Sequence, residues 1–291
     1  MTLLYRLISG VAIAGAWALG MLYLPGWALF LIFLVCALLC QWEFYKLVAR
    51  GGYAVLPGRG LVLGACWLGA VFSVPQAMDV FGYIGAFLLV GGGLLLFLHL
   101  LFDPHSARPL ESAAMTLLGF FYVPFLLSYY IRLAQWEAPG YFNLSRGGIF
   151  LAFYVALVVK LADVGAYAAG RLWGRHKLLP RISPGKSWEG LAGGVALAVA
   201  ASVAMVALSQ RWHVIPRTPL SDLHLWTAAA LGLLLAAIGV LGDLVESMFK
   251  RNVQAKDSSA LVPGMGGWLD VFDSLVFAPA VFYLLLPWLR P

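Results

Sequence analysis

Charge is scarce in this 291-residue sequence: Asp, Glu, Lys and Arg together make up 11% of it, against 62% hydrophobic residues. That balance excludes an ordinary soluble domain, where about a quarter of residues are charged. Cysteine is sparse as well. Cys36, Cys40 and Cys66 all fall in apolar stretches with no second pair at disulfide or zinc spacing, so they read as small hydrophobes. An internal repeat and a low-complexity linker are missing, and no convincing small-residue cleavage site follows the first apolar run. We therefore expect one continuous membrane domain with an uncleaved first helix. The 19 Lys and Arg outnumber the 13 Asp and Glu. In so apolar a chain that excess orients the spans and meets anionic lipid headgroups, and nucleic acid is set aside as a partner.

Apolar runs are what the chain has in plenty. Reading them between Pro, Gly and charge clusters predicts an all-α polytopic membrane protein with nine crossings, near 7–23, 26–46, 60–77, 80–102, 111–134, 148–170, 188–209, 223–247 and 269–289. If the N-terminus is cytoplasmic, thirteen Lys and Arg face that side: Arg6, Lys46, Arg50, Arg59, Arg108, Arg171, Arg175, Lys177, Arg181, Lys186, Lys250, Arg251 and Lys256. Five face the other side (Arg132, Arg146, Arg211, Arg217 and Arg290), and Lys160 lies within a span. The asymmetry predicts a cytoplasmic N-terminus. Residues 1–146 carry few internal charges and read as scaffold helices, with 147–291 as the catalytic region. Glu43, near a helix end beside Trp42 and Lys46, is expected at the interface. Gly91-Gly92-Gly93 is expected to permit close helix packing.

Seven of the thirteen acids, Asp163, Glu189, Asp243, Glu246, Asp257, Asp270 and Asp273, fall between residues 160 and 273, at or near the cytoplasmic ends of the last four spans. Ionisable groups in spans are costly and mark polar cavities, ion paths or active sites. Lys160 and Asp163 share a helix face at i and i+3, which suits a neutralising pair as well as a site. Asp243 with Glu246, and Asp270 with Asp273, repeat that spacing on two successive helices. Up to four carboxylates would meet at one membrane face, where a hard divalent cation offsets their repulsion; salt bridges to Lys250, Arg251 and Lys256 are the alternative. The intervening loop holds Lys250, Arg251, Lys256 and Asp257 and ends in Gly266-Gly267 ahead of a helix, a place suited to phosphate. Arg181-Ile182-Ser183-Pro184-Gly185-Lys186-Ser187 has the same character. It is no P-loop, because Pro180 stands where the first glycine belongs. Carboxylates for a metal and two Gly/Lys/Arg loops for phosphate in a membrane setting suggest phosphoryl or nucleotidyl transfer to a lipid.

The stretch Ser-Met-Phe-Lys-Arg-x4-Lys-Asp-x5-Pro-Gly-x-Gly-Gly-x2-Asp-x2-Asp at 247–273 resembles the signature of the phosphatidate cytidylyltransferases, or CDP-diacylglycerol synthases. The likeness extends upstream through Leu241 to Glu246, Ser183 to Gly190, and Ala162 to Tyr167. It implies a multi-helix enzyme, often dimeric, that uses CTP and phosphatidic acid with magnesium, and a second cation as a further option, to make CDP-diacylglycerol and pyrophosphate. Its site would face the cytoplasm, at the inner membrane in a bacterium. By position the resemblance assigns Asp243, Asp270 and Asp273 to the metal. Lys250, Lys256 and Asp257, with Ser183, Lys186, Ser187, Arg251, Gly266 and Gly267, fall to nucleotide and phosphate handling. Two positions depart from the family's His-Gly-Gly and Asp-Arg-x-Asp: Met265 and Val271 stand for the histidine and arginine. If either contacts substrate phosphate, this chain needs a substitute or acts on a related lipid. The rivals are an enzyme acting on another lipid phosphate, a polyprenol-type kinase and, from a different class, an ion-coupled transporter.

Overall fold

The computed structural model describes residues 15, 20, 23–74, 85–102, 107–138, 140–211, 218–262, 264 and 266–289. Eight long helices stand where eight of the nine spans are predicted: α1 (Gly26–Arg50), α2 (Pro57–Ser73), α3 (Gly85–Phe102), α4 (Pro109–Ala134), α5 (Arg146–Trp173), α6 (Trp188–Arg211), α7 (Leu225–Asn252) and α8 (Trp268–Trp288). Seven are at least 18 residues long and apolar enough to cross a bilayer, and α2 has 17 residues, about 25 Å of helix. The chain is an all-α, multi-pass membrane protein. Most of the predicted first span, 7–23, and Met265 lie outside the described residues.

Local sequence explains where these helices start and bend. Pro57 and Pro109 open α2 and α4, where a missing N–H is harmless. The Ser145 hydroxyl caps α5 by accepting from the Gly148 amide at 2.8 Å. Pro124 sits inside α4, and the chain absorbs it as a π-helical turn over Phe121–Phe125. α8 breaks at Asp273–Leu275, a 3-10 turn between its two α-helical parts. Non-helical backbone at that depth is tolerated where protein or a cavity surrounds it. Gly242 of α7 lets the break approach, since a Cβ there would strike the Asp273 carbonyl oxygen. Of Gly91-Gly92-Gly93, only Gly92 would meet a neighbour, Leu63 of α2, so the expected packing role shrinks to one glycine.

Between α5 and α6 an antiparallel hairpin pairs β1 (Lys177–Leu179) with β2 (Ser183–Ser187), Leu179 opposite Ser183 and Lys177 opposite Ser187. Glu189, in the first turn of α6, pins it by accepting from the Arg175 and His176 amides and contacting His176 Nδ1 at 2.6 Å. Long-range bonds gather the loops at one end of the bundle: Arg50 to the Ser258 carbonyl, Asn252 to the Tyr53 hydroxyl, Arg108 to the Gly52 carbonyl and Arg251 to the Ile182 carbonyl. The main buried core runs from Phe33 of α1 to Leu286 of α8, and a small second cluster joins Leu96 and Leu100 of α3 to Ala113 of α4.

Glu43 overturns its expected interfacial place. It is fully buried in α1, where its carboxylate accepts from Ser259 Oγ (2.6 Å) and the Leu269 amide (2.8 Å) and lies 3.1 Å from Ser258 Oγ, whose one hydrogen it shares with Asp270. Its nearness to the helix end hid this, because the loop after α7 folds down onto it. Glu43→Ala strands the buried Leu269 amide at about 1–3 kcal/mol and frees Ser259, while the Ser258 hydroxyl keeps Asp270 as its acceptor. We expect a lower thermal midpoint in detergent and faster proteolysis within residues 253–267; a variant as stable and as resistant as wild type would remove Glu43 from the role of anchor.

Candidate active site

A cavity of 1110 Å³ opens among α1, α4, α5, the hairpin, α7 and α8. Its lining changes character along its length. Lys160, Asp163, Lys186, Asp243, Asp270 and Asp273 line one part, while Phe30, Phe33, Leu144, Ile149 and Phe153 line another. The polar part is deeper than the sequence suggests. Asp243 lies about 14 Å from the Asn252 end of α7, and Lys160 about 20 Å from the Trp173 end of α5, near mid-helix.

Asp243, Glu246 and Asp273 converge where α7 meets the break in α8, each offering a carboxylate oxygen within 4.8 Å of the others. Among the described residues no other group of three such side chains does so. At an effective dielectric of about 20, two unit charges 4.8 Å apart repel by about 3.5 kcal/mol. Two lysines offset part of this. Lys186 reaches from the hairpin to Asp243 Oδ2 at 2.9 Å, and Lys250 ion-pairs with Glu246 and, at 2.7 Å, with Asp270 Oδ1. Glu246 is fully buried, and apart from Lys250 no donor among the described residues reaches either of its oxygens. Such a trio of oxygen donors fits a hard divalent cation.

Asp270 has a different environment from its expected partners. Its Oδ2 accepts from the Gly267 amide (2.6 Å), the Ser258 amide (2.9 Å) and the Ser258 hydroxyl (2.8 Å), while Oδ1 takes Lys250. It caps the start of α8 and fastens the preceding loop, and the converging trio takes Glu246 in its place. The sequence signal for Glu246 was its i+3 spacing from Asp243. The Gly266 and Gly267 amides, expected to face phosphate, are engaged inside the loop. Gly266 donates to the Val262 carbonyl, and Gly267 donates to Asp270.

The remaining predicted residues divide by place. Ser183, Lys186 and Ser187 line the cavity, and Ser187 Oγ also accepts from the Gly190 amide at 3.1 Å to cap α6. Arg251 ties the two basic loops together through Ile182. Lys256 and Asp257 are exposed and lie outside the cavity lining. Sequence reasoning misplaced Glu43 and missed Ser258 and Ser274; the serines carry no motif signal, and all three act through contacts remote in sequence.

A sequence model of the cytidylyltransferase family matches residues 5–289. The phosphatidate cytidylyltransferase of Haemophilus influenzae is 45% identical over 135 residues, 46% of this chain and 45% of that protein. Its namesake in Bacillus subtilis is 39% identical over 144 residues, 50% of each chain. The Synechocystis protein of the same name is 34% identical over 97% of both. The chain thus aligns with half or less of two relatives and nearly all of the third. A family match that runs almost from end to end, with a relative aligned over the same span, means that this chain belongs to the cytidylyltransferase family.

Proposed function

We propose that this chain transfers the cytidylyl group of CTP to phosphatidic acid, giving CDP-diacylglycerol and pyrophosphate. The observation that carries the reading is one cavity with a carboxylate and lysine part and an apolar part, which suits a reaction between a phosphate-rich nucleotide and an acyl lipid. The relatives' names supply the two substrates. The excess of Lys and Arg at the end that gathers the loops supports a cytoplasmic face for the polar mouth, in the inner membrane if the source is bacterial.

A lipid phosphate oxygen attacks the α-phosphorus of CTP, the new P–O bond forming as the α–β bridging bond breaks and pyrophosphate leaves with that electron pair. The nucleophile is already anionic, so the protein supplies alignment and charge stabilisation more than a strong base. Asp243, Glu246 and Asp273 are the residues that would hold magnesium, with Asp270 beside them steadying Lys250. A metal there would neutralise phosphate charge as a Lewis acid. Lys186 and Arg171 line the same cavity and meet the triphosphate. Lys250 balances Glu246 and Asp270, and Arg251 holds the hairpin against the end of α7.

The test is labelled CTP with detergent-purified protein, phosphatidic acid and magnesium, resolving lipid and aqueous products. Labelled CDP-diacylglycerol with stoichiometric pyrophosphate is expected; release of CDP instead would point to a lipid kinase. Asp273→Asn should raise the magnesium needed for half-maximal rate more than about tenfold, by analogy with the 10–100-fold losses seen when metal sites are perturbed. An unchanged magnesium requirement would take Asp273 out of the metal site. Lys186→Met removes a charge-assisted contact, so the KM for CTP should rise about tenfold or more while the KM for phosphatidic acid stays nearly constant. Equal rises in both constants would count against a nucleotide role for Lys186.

A further inference from the structure

Lys160 projects from the middle of α5 into the same cavity. Its ammonium donates to Ser274 Oγ at 2.8 Å and to Asp163 Oδ2 at 3.2 Å, and the Ser274 hydroxyl donates in turn to Asp163 Oδ2 at 2.8 Å. Ser274 directly follows Asp273, so this small network adjoins the carboxylate trio at Asp273, whereas Lys186 and Lys250 meet the trio at Asp243 and Glu246. An ammonium has three N–H donors, and these partners take two. The Lys160 and Asp163 side chains are 38% and 37% accessible, so the pair opens on the cavity and is not sealed between helices. Along α5 the cavity lining changes at this point. On one side of Lys160 the α5 lining is apolar throughout, Leu157, Phe153 and Ile149; on the other, Asp163, Tyr167 and Arg171 appear among Leu161 and Val164. A lipid with its chains along the apolar lining therefore has its head group level with Lys160.

The α8 side of the cavity adds a second observation. Val271 lines it between Asp270 and Asp273, and of the α8 residues in the lining, Asp270, Val271, Phe272, Asp273 and Leu275, none is a cation. A lone mid-span lysine is costly, and an open pair with Asp163 recovers only part of that cost. We propose that Lys160 binds the phosphate of the lipid substrate, supplying from α5 the positive charge that position 271 lacks.

This inference rests on the lipid-phosphate reading of the same cavity, and the test separates the two. The full chain is placed in phosphatidylcholine nanodiscs with graded phosphatidic acid. Lipid binding is read by native mass spectrometry without CTP or metal, and both KM values are measured in parallel. Lys160→Met should weaken phosphatidic acid binding and raise its KM by about tenfold or more, with the KM for CTP within about twofold of wild type. Lys160→Arg keeps the charge and should stay within about threefold of wild type, which guards against a folding defect in the methionine variant. Adding Val271→Arg to Lys160→Met should recover at least half of the lost lipid affinity. Wild-type turnover with unaltered phosphatidic acid binding in Lys160→Met would overturn the proposal, as would equal losses for both substrates, the signature of a lysine that only balances Asp163. No recovery from Val271→Arg would overturn the exchange of one cation for the other. Wild-type binding of phosphatidic acid without turnover would instead overturn the reaction and leave the lysine's role standing.

Discussion

Mutual repulsion among Asp243, Glu246 and Asp273 is the constraint that the rest of the structure serves. Three carboxylates with oxygens within 4.8 Å, inside apolar helices, are unstable unless backbone and cations hold them there. Gly242 removes the side chain that would keep α8 away, and the 3-10 turn at Asp273 releases that residue from helical geometry. Lys250 joins Glu246 to Asp270, and Asp270 holds Ser258 and Gly267. The chain of contacts then reaches Glu43, which sits in the half of the molecule with the least charge. The N-terminal helices are therefore coupled to the site: α1 supplies the acceptor on which the loop after α7 is folded.

The spans were legible because each obeys a one-dimensional rule, an apolar run of bilayer length bounded by Pro, Gly or charge. The carboxylate group was legible for a similar reason, since i and i+3 spacing on a helix fixes which side chains share a face. Assignments that depend on how helices stack against one another were harder. Asp270 and Asp273 look equivalent in sequence. The first lies in the opening turn of α8, where free amides claim it, and the second lies at the break, where they do not. Glu43 looked interfacial because its neighbours Trp42 and Lys46 do lie outward, the ammonium 3.5 Å above the indole, while Glu43 itself faces the bundle interior. The β1–β2 hairpin is too short for a periodicity signal, and its shape depends on Glu189, ten or more residues from the amides it accepts.

Depth is what sets this cavity apart from a surface cleft. A site at the membrane surface could recruit a nucleotide easily but would have to lift a lipid head group out of the interface. Here the polar lining descends about 14–20 Å along α5 and α7, and the apolar lining begins where it stops. In the proposed reaction the nucleotide enters from the loop end and the lipid from the apolar side, so neither substrate must leave its own phase entirely.

That geometry also assigns different work to the cations by height. Lys186 and Arg171 belong to the hairpin and the loop end of α5, within reach of a water-soluble triphosphate. Lys250 is only 12% accessible, lies outside the cavity lining and pairs with Glu246 and Asp270, so its charge supports the protein more than any substrate. Lys160 alone stands at the boundary between polar and apolar lining. In the proposed reaction these four cations divide among three tasks, because on a helix a few residues' difference in position becomes several ångströms of depth, and depth decides whether water, carboxylate or lipid is near.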